Sequence, residues 1–528
     1  MHRLLLASLL SSMLTVGRAQ SPDLAAALQT LEGYRPTKAA PTDASVIAAH
    51  EQLSKALPRL LRRGKDPVAL RLLELVAARR DALVPTKNSA CHERDPLARL
   101  LVRCLDEQLQ QTPAAQVAAE SAAAAFPGMP AADAQPVKRQ FTIDLRVNGR
   151  HSLGLYAPPG AMITVRAADA PAANKLRVRI GAHSDNITRR PKWPRLPRIS
   201  RTFPLAAGQT EAACAFGGLV YVEVGAAATG DALVPLQVEV EGAVEAPLFV
   251  LGETDVTAWR ERLRLAPGPW AELATDKVIL TVPSERVRGL DDPTAVLQFW
   301  NRVLDGAATL AARPLPRQRP ERYVADLEIS AGAMHSGYPI MTHLDAAADM
   351  VDLQRMQKGP WGLFHELGHN HQQKDWTFAG TTEVTVNLFS LYLCETLCGM
   401  GPERAWGGNV VRAKPRLTRH LAAGTSPWDG DGGKADLSLR LLMYHQLQRE
   451  FGWETFTKVF AEYRDLPKEQ RPADDDARRD QWLLRFSRAT GRNLGPFFER
   501  WGLPTSAAAR AEVAALPAWL PDGMTPPR

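Results

Sequence analysis

Long apolar runs are missing from most of this chain. After the first twenty residues no stretch reaches the ~20 consecutive apolar residues a membrane-spanning helix needs, so no transmembrane segment is expected. Cysteine is also scarce, with five residues in 528. That excludes a scaffold held by many disulfides, and it argues against a structural zinc cluster built on thiolates. Cys91 and Cys104 are close enough in sequence to pair. Cys394 and Cys398, four apart in a helical stretch, are poorly placed for a bridge. A strong charge imbalance is absent too. The net charge of +7 and pI near 9.2 are mild for this length. No DNA- or RNA-binding motif accompanies them, so nucleic acid is not an expected partner. The slight excess of positive charge suits an acidic surface or an anionic glycan.

The composition, 45% hydrophobic and 23% charged, is that of a globular protein. The length implies two to four domains, and the pattern predicts a multidomain α+β chain. Residues 1–19 have the layout of a signal peptide: His2 and Arg3, an apolar run to Val16, then small residues around Ala19. No cysteine follows to carry a lipid anchor, so a periplasmic or secreted protein is expected. Residues 20–111 show apolar spacing of three and four and read as a helical N-terminal domain. The Ala- and Pro-rich stretch 112–139 reads as a linker. Over 140–249 the period becomes two, as in FTIDLRV, MITVRA and LVYVEVG, which predicts a β-sandwich. Within it the basic stretch TRRPKWPRLPRISR, residues 188–201, reads either as a solvated loop or as a contact for anionic substrate through Arg195 and Arg198. Residues 250–510 read as a mostly helical catalytic domain with a small sheet, and 511–528 as a tail.

The chemistry concentrates between Gly359 and Gly399. His365-Glu366-Leu367-Gly368-His369 is an HExxH pentad. On a helix, residues four apart share a face, so both imidazoles can meet one metal ion while Glu366 serves as general base. The metzincin pattern would need Gly at position 372 and His at 375, where this chain has Gln372 and Asp375. Glu383, fourteen residues past His369 on a second helical stretch, is the better third ligand. Asn387 falls one turn later on the same face and can orient a ligand. His371, two residues past His369, points away from the metal if the helix continues. Two helices carrying HExxH and Glu make a gluzincin arrangement for one catalytic zinc per chain.

HELGHNHQ followed by TEVTVNLFSLY resembles the enhancin-like, mucin-degrading zinc metallopeptidases, peptidase family M-sixty. ERYVADLEISAGAMHSGYPIMTH, LLMYHQLQREFGWETFTKVFAEYR and NLGPFFERWGLP agree with that likeness, as do LGLYAPPGAMITVRA and GGLVYVEVG upstream. The resemblance runs from about Phe141 to Pro504. It implies that His365, His369 and Glu383 are zinc ligands, that Glu366 is the base, and that mucin-type O-glycoproteins are the substrate. Tyr338, His335, Tyr444 and His445 lie in the resembling segments and are candidates to stabilise the oxyanion. Trp361, Trp376, Trp406 and Trp428 flank the site in sequence and are candidates to stack on sugar. Two other readings remain open: a non-catalytic glycan- or protein-binding module on the same fold, and a zinc aminopeptidase. The aminopeptidase would need an acidic anchor beside the pentad, and GPWGLF offers none.

Overall fold

The computed structural model describes residues 23–63, 66–228, 235–428 and 436–524, and the expected signal peptide lies outside them. Among the described residues no helix is long and apolar enough to cross a membrane. The chain is a multidomain α+β protein, with helices first, then antiparallel sheets, then a mixed sheet followed by helices.

Four helices open the chain: Leu24–Gly33, Ala44–Arg63, Pro67–Leu83 and Pro96–Gln111. Asp66 and Asp95 each turn a carboxylate onto a first-turn N–H, at Val68 and Ala98. Each is followed by a proline where no N–H is required. Leu97, Leu100, Leu101 and Leu105 form the buried stripe of the fourth helix. The Cys91–Cys104 bridge does not form, and all five cysteines are free. Cys91 is held in a two-residue strand paired with Lys192 and Trp193, while Cys104 is inside a helix.

The β unit consists of two antiparallel sheets that share one long strand, Leu236–Glu245. Its first part pairs with Val137–Ile143 and Met162–Ala167, and the latter pairs on with Gly208–Ala213. Its last residues, Val244 and Glu245, pair with Gly149–Ala157, which leads to Gly218–Val224, Arg177–Ile180 and Arg201–Pro204. The strand changes sheet at Gly242, where the register shifts and φ is +94°. A side chain would be strained there, and a Cβ would lie 3.0 Å from the Met162 carbonyl oxygen.

A six-stranded mixed sheet follows, in the order Leu248–Val250, Trp270–Ala274, Val278–Pro283, Glu321–Asp326, Ile340–His343, Met334–His335. A buried polar network fastens it to the β unit. Arg322 pairs with Glu272, which also accepts from the Tyr221 hydroxyl at 3.0 Å and the Thr281 hydroxyl at 2.9 Å. The same guanidinium donates to the Arg150 carbonyl at 2.9 Å. Every member takes part in at least one hydrogen bond, and Glu272 compensates the buried Arg322 charge at the junction.

Two segments depart from the sequence expectations. The stretch expected as a linker over 112–139 is a docked strap. Phe126 is buried edge-on against His183 and Trp270. The Trp270 indole donates to the Pro127 carbonyl at 2.8 Å, and the Tyr156 hydroxyl to the Gly128 carbonyl at 2.7 Å. Alanine-rich sequence lacks periodicity, yet its small side chains, such as buried Ala122 and Ala123, let the backbone lie flush on its neighbours.

The basic stretch 188–201 is a staple between the three units. Trp193 is buried under the Arg99 guanidinium, 3.9 Å from its ring centroid. Arg198 pairs with Asp106 and Glu107 of the fourth helix. Arg195, 1% exposed, makes a two-pronged pair with Asp326 of the mixed sheet. Neither arginine is free for substrate.

Candidate metal centre and active site

The pentad lies on the helix Trp361–His371, which follows Pro360 and ends where Gln372 turns extended. Leu363, Phe364 and Leu367 bury one face. Gly368 occupies the closest approach to the next helical segment. A Cβ there would stand 3.0 Å from the Phe389 Cβ and from the Val386 carbonyl oxygen. That close packing brings in the short turn Thr382–Thr385, which carries Glu383, and the helix Asn387–Cys398 behind it.

Three donor atoms meet in front of the pentad. The His365 and His369 Nε2 atoms are 3.1 Å apart, and Glu383 Oε2 lies 3.1 Å from the first and 3.5 Å from the second. No fourth His, Cys, Asp or Glu among the described residues joins this group. The outer side of each ring identifies its tautomer. His365 Nδ1 lies 2.7 Å from Asn387 Oδ1, and the Asn387 amide nitrogen is spent on the Glu383 carbonyl at 2.8 Å. His369 Nδ1 lies 2.9 Å from Gln372 Oε1. The Gln372 amide nitrogen is spent on the Thr382 carbonyl and the Thr385 hydroxyl, both at 2.8 Å. Each Nδ1 therefore donates to an amide oxygen, and each ring turns its Nε2 inward. Two imidazole nitrogens and a carboxylate oxygen converge on one point, a donor set that suits a cation. The edges of this triangle fit the ~3.3 Å expected between tetrahedral zinc ligands at ~2.0–2.1 Å from the metal.

Glu366 is buried on the same helix, and burial raises its carboxyl above the ordinary range while His365 and His369 pull the other way. Glu383 is more open and is held well below that range by His365 and His369. His371 points away from the cluster. Its Nδ1 lies 2.8 Å from the Leu367 carbonyl, its Nε2 faces Arg317, and burial pushes it down to about 3.

The other candidates do not join the cluster. The Tyr338 hydroxyl accepts the Arg150 backbone N–H of the β unit at 3.2 Å, and its ring lies under Arg319. Tyr444 is fully buried edge-on to Trp482. His445 is buried beside Gln448 and pushed down to about 4 by that burial. His335 is half-buried, and its ring nitrogens are engaged by the Ser336 carbonyl, the Asp185 carboxylate and the Ser330 hydroxyl. Trp376 is buried and stacked on Phe460. Trp361 is half-buried, with one face covered by Trp406 at 5.1 Å between centroids. Trp428 is half-buried, with Arg440 over its ring. Sequence reasoning misses Gln372. Its signal is its place three residues past His369, one turn along the same face.

The geometry can be set beside known proteins. A family model described as "Peptidase M60, enhancin and enhancin-like" matches residues 242–502. Another, described as "N-terminal domain of M60-like peptidases", matches residues 132–239. TRPM8 channel-associated factor 2 of Homo sapiens is 40% identical over 400 residues, 74% of this chain and 42% of that protein. The chain thus spans about two fifths of the length of such curated relatives. Among solved structures, IMPa from Pseudomonas aeruginosa in complex with an O-glycopeptide aligns with a TM-score of 0.58 at 19% identity, over 91% of this chain and 63% of that one. The ZmpB metallopeptidase of Clostridium perfringens aligns at 0.56 and 16% identity, over 74% of this chain and 80% of that one. At such identities these two likenesses bear on the fold alone.

Proposed function

The chain belongs to the M60 family of enhancin-like peptidases, and from that premise we propose that it is an exported zinc endopeptidase acting on mucin-type O-glycoproteins. The observation that carries the zinc reading is the triangle of His365 Nε2, His369 Nε2 and Glu383 Oε2, each imidazole held by an amide so that its Nε2 faces inward. When bound there, zinc supplies Lewis acidity that polarises a carbonyl and acidifies a water.

The chain's own residues do the rest. Asn387 and Gln372 hold the two rings in their ligating tautomer and orientation. Glu366 takes the proton of the attacking water and returns it to the leaving amine. Burial raises its proton affinity above that of an ordinary carboxylate, in the direction a proton acceptor needs. The buried packing around Leu363, Phe364 and Leu367 keeps the helix, and so the base, fixed relative to the ligands.

The substrate class is supported by the family likeness and by the Pseudomonas aeruginosa neighbour, whose structure is in complex with an O-glycopeptide. A second reading, a non-catalytic module, is favoured by one observation. The curated relatives at 36–40% identity carry the name of channel-associated factors. One experiment separates the two. The purified chain is incubated with a mucin-type glycoprotein and its deglycosylated form, with and without a chelator, beside Glu366→Gln. Chelator-sensitive cleavage of the glycosylated form, lost by orders of magnitude in a Glu366→Gln protein that keeps its zinc, is the expected result. A wild-type chain with bound zinc and no cleavage of either form would favour the binding module.

A further inference from the structure

The mechanism above leaves unused a second histidine close to the base. His335 closes the strand Met334–His335, the last strand of the mixed sheet. This strand lies on the pentad helix: a Cβ on Gly362 would stand 3.0 Å from the Met334 sulfur. The His335 ring is held at both ends. Nδ1 is 2.9 Å from the Ser336 carbonyl oxygen, and Nε2 is 2.7 Å from Asp185 Oδ2. Both these partners can only accept, while the Ser330 hydroxyl, 3.1 Å from Nε2, is a third neighbour that can donate or accept. A neutral imidazole has one N–H and one lone pair, so one of these contacts would set a lone pair against an oxygen. The protonated ring satisfies both. The hydrogen bond to Asp185 accordingly raises the proton affinity of His335 above its ordinary value, against the opposing effect of burial. The other charged group facing the ring is Glu366, on the pentad helix. Arg195 reaches the Asp185 backbone carbonyl, at 3.3 Å.

Asp185 comes from the β unit, in the loop after the strand Arg177–Ile180. The same Oδ2 accepts the backbone N–H of Ser330 at 2.6 Å. One carboxylate oxygen therefore ties both ends of the segment Ser330–His335, whose tip, Ala331-Gly332-Ala333, is exposed. Nearby, Arg195 anchors the base of this segment through Asp326 and the Glu328 carbonyl.

We propose that Asp185 is a positioning residue of the active site, which locks His335 as a fixed cation and so holds the Ser330–His335 rim against the pentad helix beside Glu366. The β unit then completes the catalytic apparatus. This inference rests on the peptidase reading for its kinetic consequence, but the lock itself is a property of the folded chain. His335 binds its proton more tightly in the fold than when unfolded. The stabilisation is therefore fully present below the ordinary histidine value, as long as Asp185 stays ionised, and is lost as pH rises through the raised value. The alkaline side of the activity profile should accordingly depend on Asp185.

The test uses the full chain and the variants Asp185→Asn, Asp185→Glu and His335→Gln. Asp185→Asn keeps the size and the acceptor for Ser330 but removes the charge. Histidine ring signals are followed by NMR against pH, and the His335 signal is the one absent from His335→Gln. The expected result is a fall in the His335 titration midpoint in Asp185→Asn and partial recovery in Asp185→Glu, with zinc content at the wild-type level throughout. On a cleaved glycopeptide, Asp185→Asn should lower kcat/KM by about tenfold and move the alkaline limb to lower pH, as expected for slight misplacement of a catalytic frame. An unmoved His335 midpoint overturns the proposal. If the wild-type chain cleaves nothing, the peptidase reading has failed separately, and the same comparison of midpoints between wild type and Asp185→Asn still decides the lock. A shifted midpoint with unchanged kcat/KM and pH profile overturns the positioning role.

Discussion

Replacing Arg195 should unfold the junction between the β unit and the mixed sheet while leaving the zinc ligands untouched. The side chain is 1% exposed, and its partner Asp326 is fully buried. Two parallel hydrogen bonds of 2.8 Å join them, and the same guanidinium donates to the carbonyls of Leu196, Pro197, Glu328 and Asp185. Arg195→Ala strands a buried carboxylate whose remaining hydrogen bond is a single long one, from the Glu328 backbone at 3.2 Å. Breaking a buried pair from one side costs ~3–5 kcal/mol. The four carbonyls lose a charged donor as well, so the upper part of that range is expected. Against a typical total stability of ~5–15 kcal/mol this is a large fraction. The assay is chemical denaturation followed by intrinsic fluorescence, with zinc measured per folded molecule. The pair Arg195→Met with Asp326→Leu should recover most of the loss, because apolar replacement of both partners is close to neutral. An Arg195→Ala unfolding free energy within about 1 kcal/mol of wild type would refute the reasoning, since that loss lies well below the cost of a broken buried pair. A double variant no better than the single would show that packing, not stranded charge, sets the cost.

Other outcomes follow from the same contacts. Asn387→Ala and Gln372→Ala should each weaken zinc binding by ~10–100-fold, read by competition with a chelator, because each frees a ring to choose the wrong tautomer; unchanged affinity would contradict the tautomer argument. Phe126→Ala should cost ~3–5 kcal/mol in denaturation, since it empties the space between His183 and Trp270. A chain begun at Gln135 should for the same reason fold poorly, and one as stable as the full chain would show the strap to be dispensable. Gly368→Ala should cost ~1–3 kcal/mol and lower activity, because its Cβ meets backbone and side chain at 3.0 Å between the pentad helix and the Asn387 helix; an unaffected zinc content and activity would show that this contact does not set the ligand geometry.

The pentad can be read from sequence because its geometry is local. Four residues of helix place His365 and His369 on one face whatever surrounds them. Glu383 is less direct, and its place depends on how closely two helices pack, which Gly368 decides. Asn387 can be anticipated from its position one turn after Glu383, as can the alternation that produces the β strands. Gln372 escapes notice because its role depends on the helix ending at His371, where its amide reaches Thr382 and Thr385 instead of running on along the helix.

The arginines and tryptophans mislead for a different reason. A basic run reads as surface when no acid is near it in sequence. Here the acids lie far off: Asp326 is 131 residues from Arg195, Asp106 is 92 from Arg198, and Asp185 is 150 from His335. Composition carries a clue all the same. Pro191, Pro194 and Pro197 remove three backbone donors from the stretch and leave their carbonyls in place. A loop with more acceptors than donors can be buried only if donors arrive from side chains. Arg99 supplies them to the carbonyls of Thr188, Arg190 and Pro191, and Arg195 to those of Leu196 and Pro197. Prolines interleaved with arginines are thus compatible with a buried staple as well as with a solvated loop. What separates the two is whether the guanidiniums find carbonyls and carboxylates inside the molecule, and in this chain Arg99, Arg195 and Arg198 do.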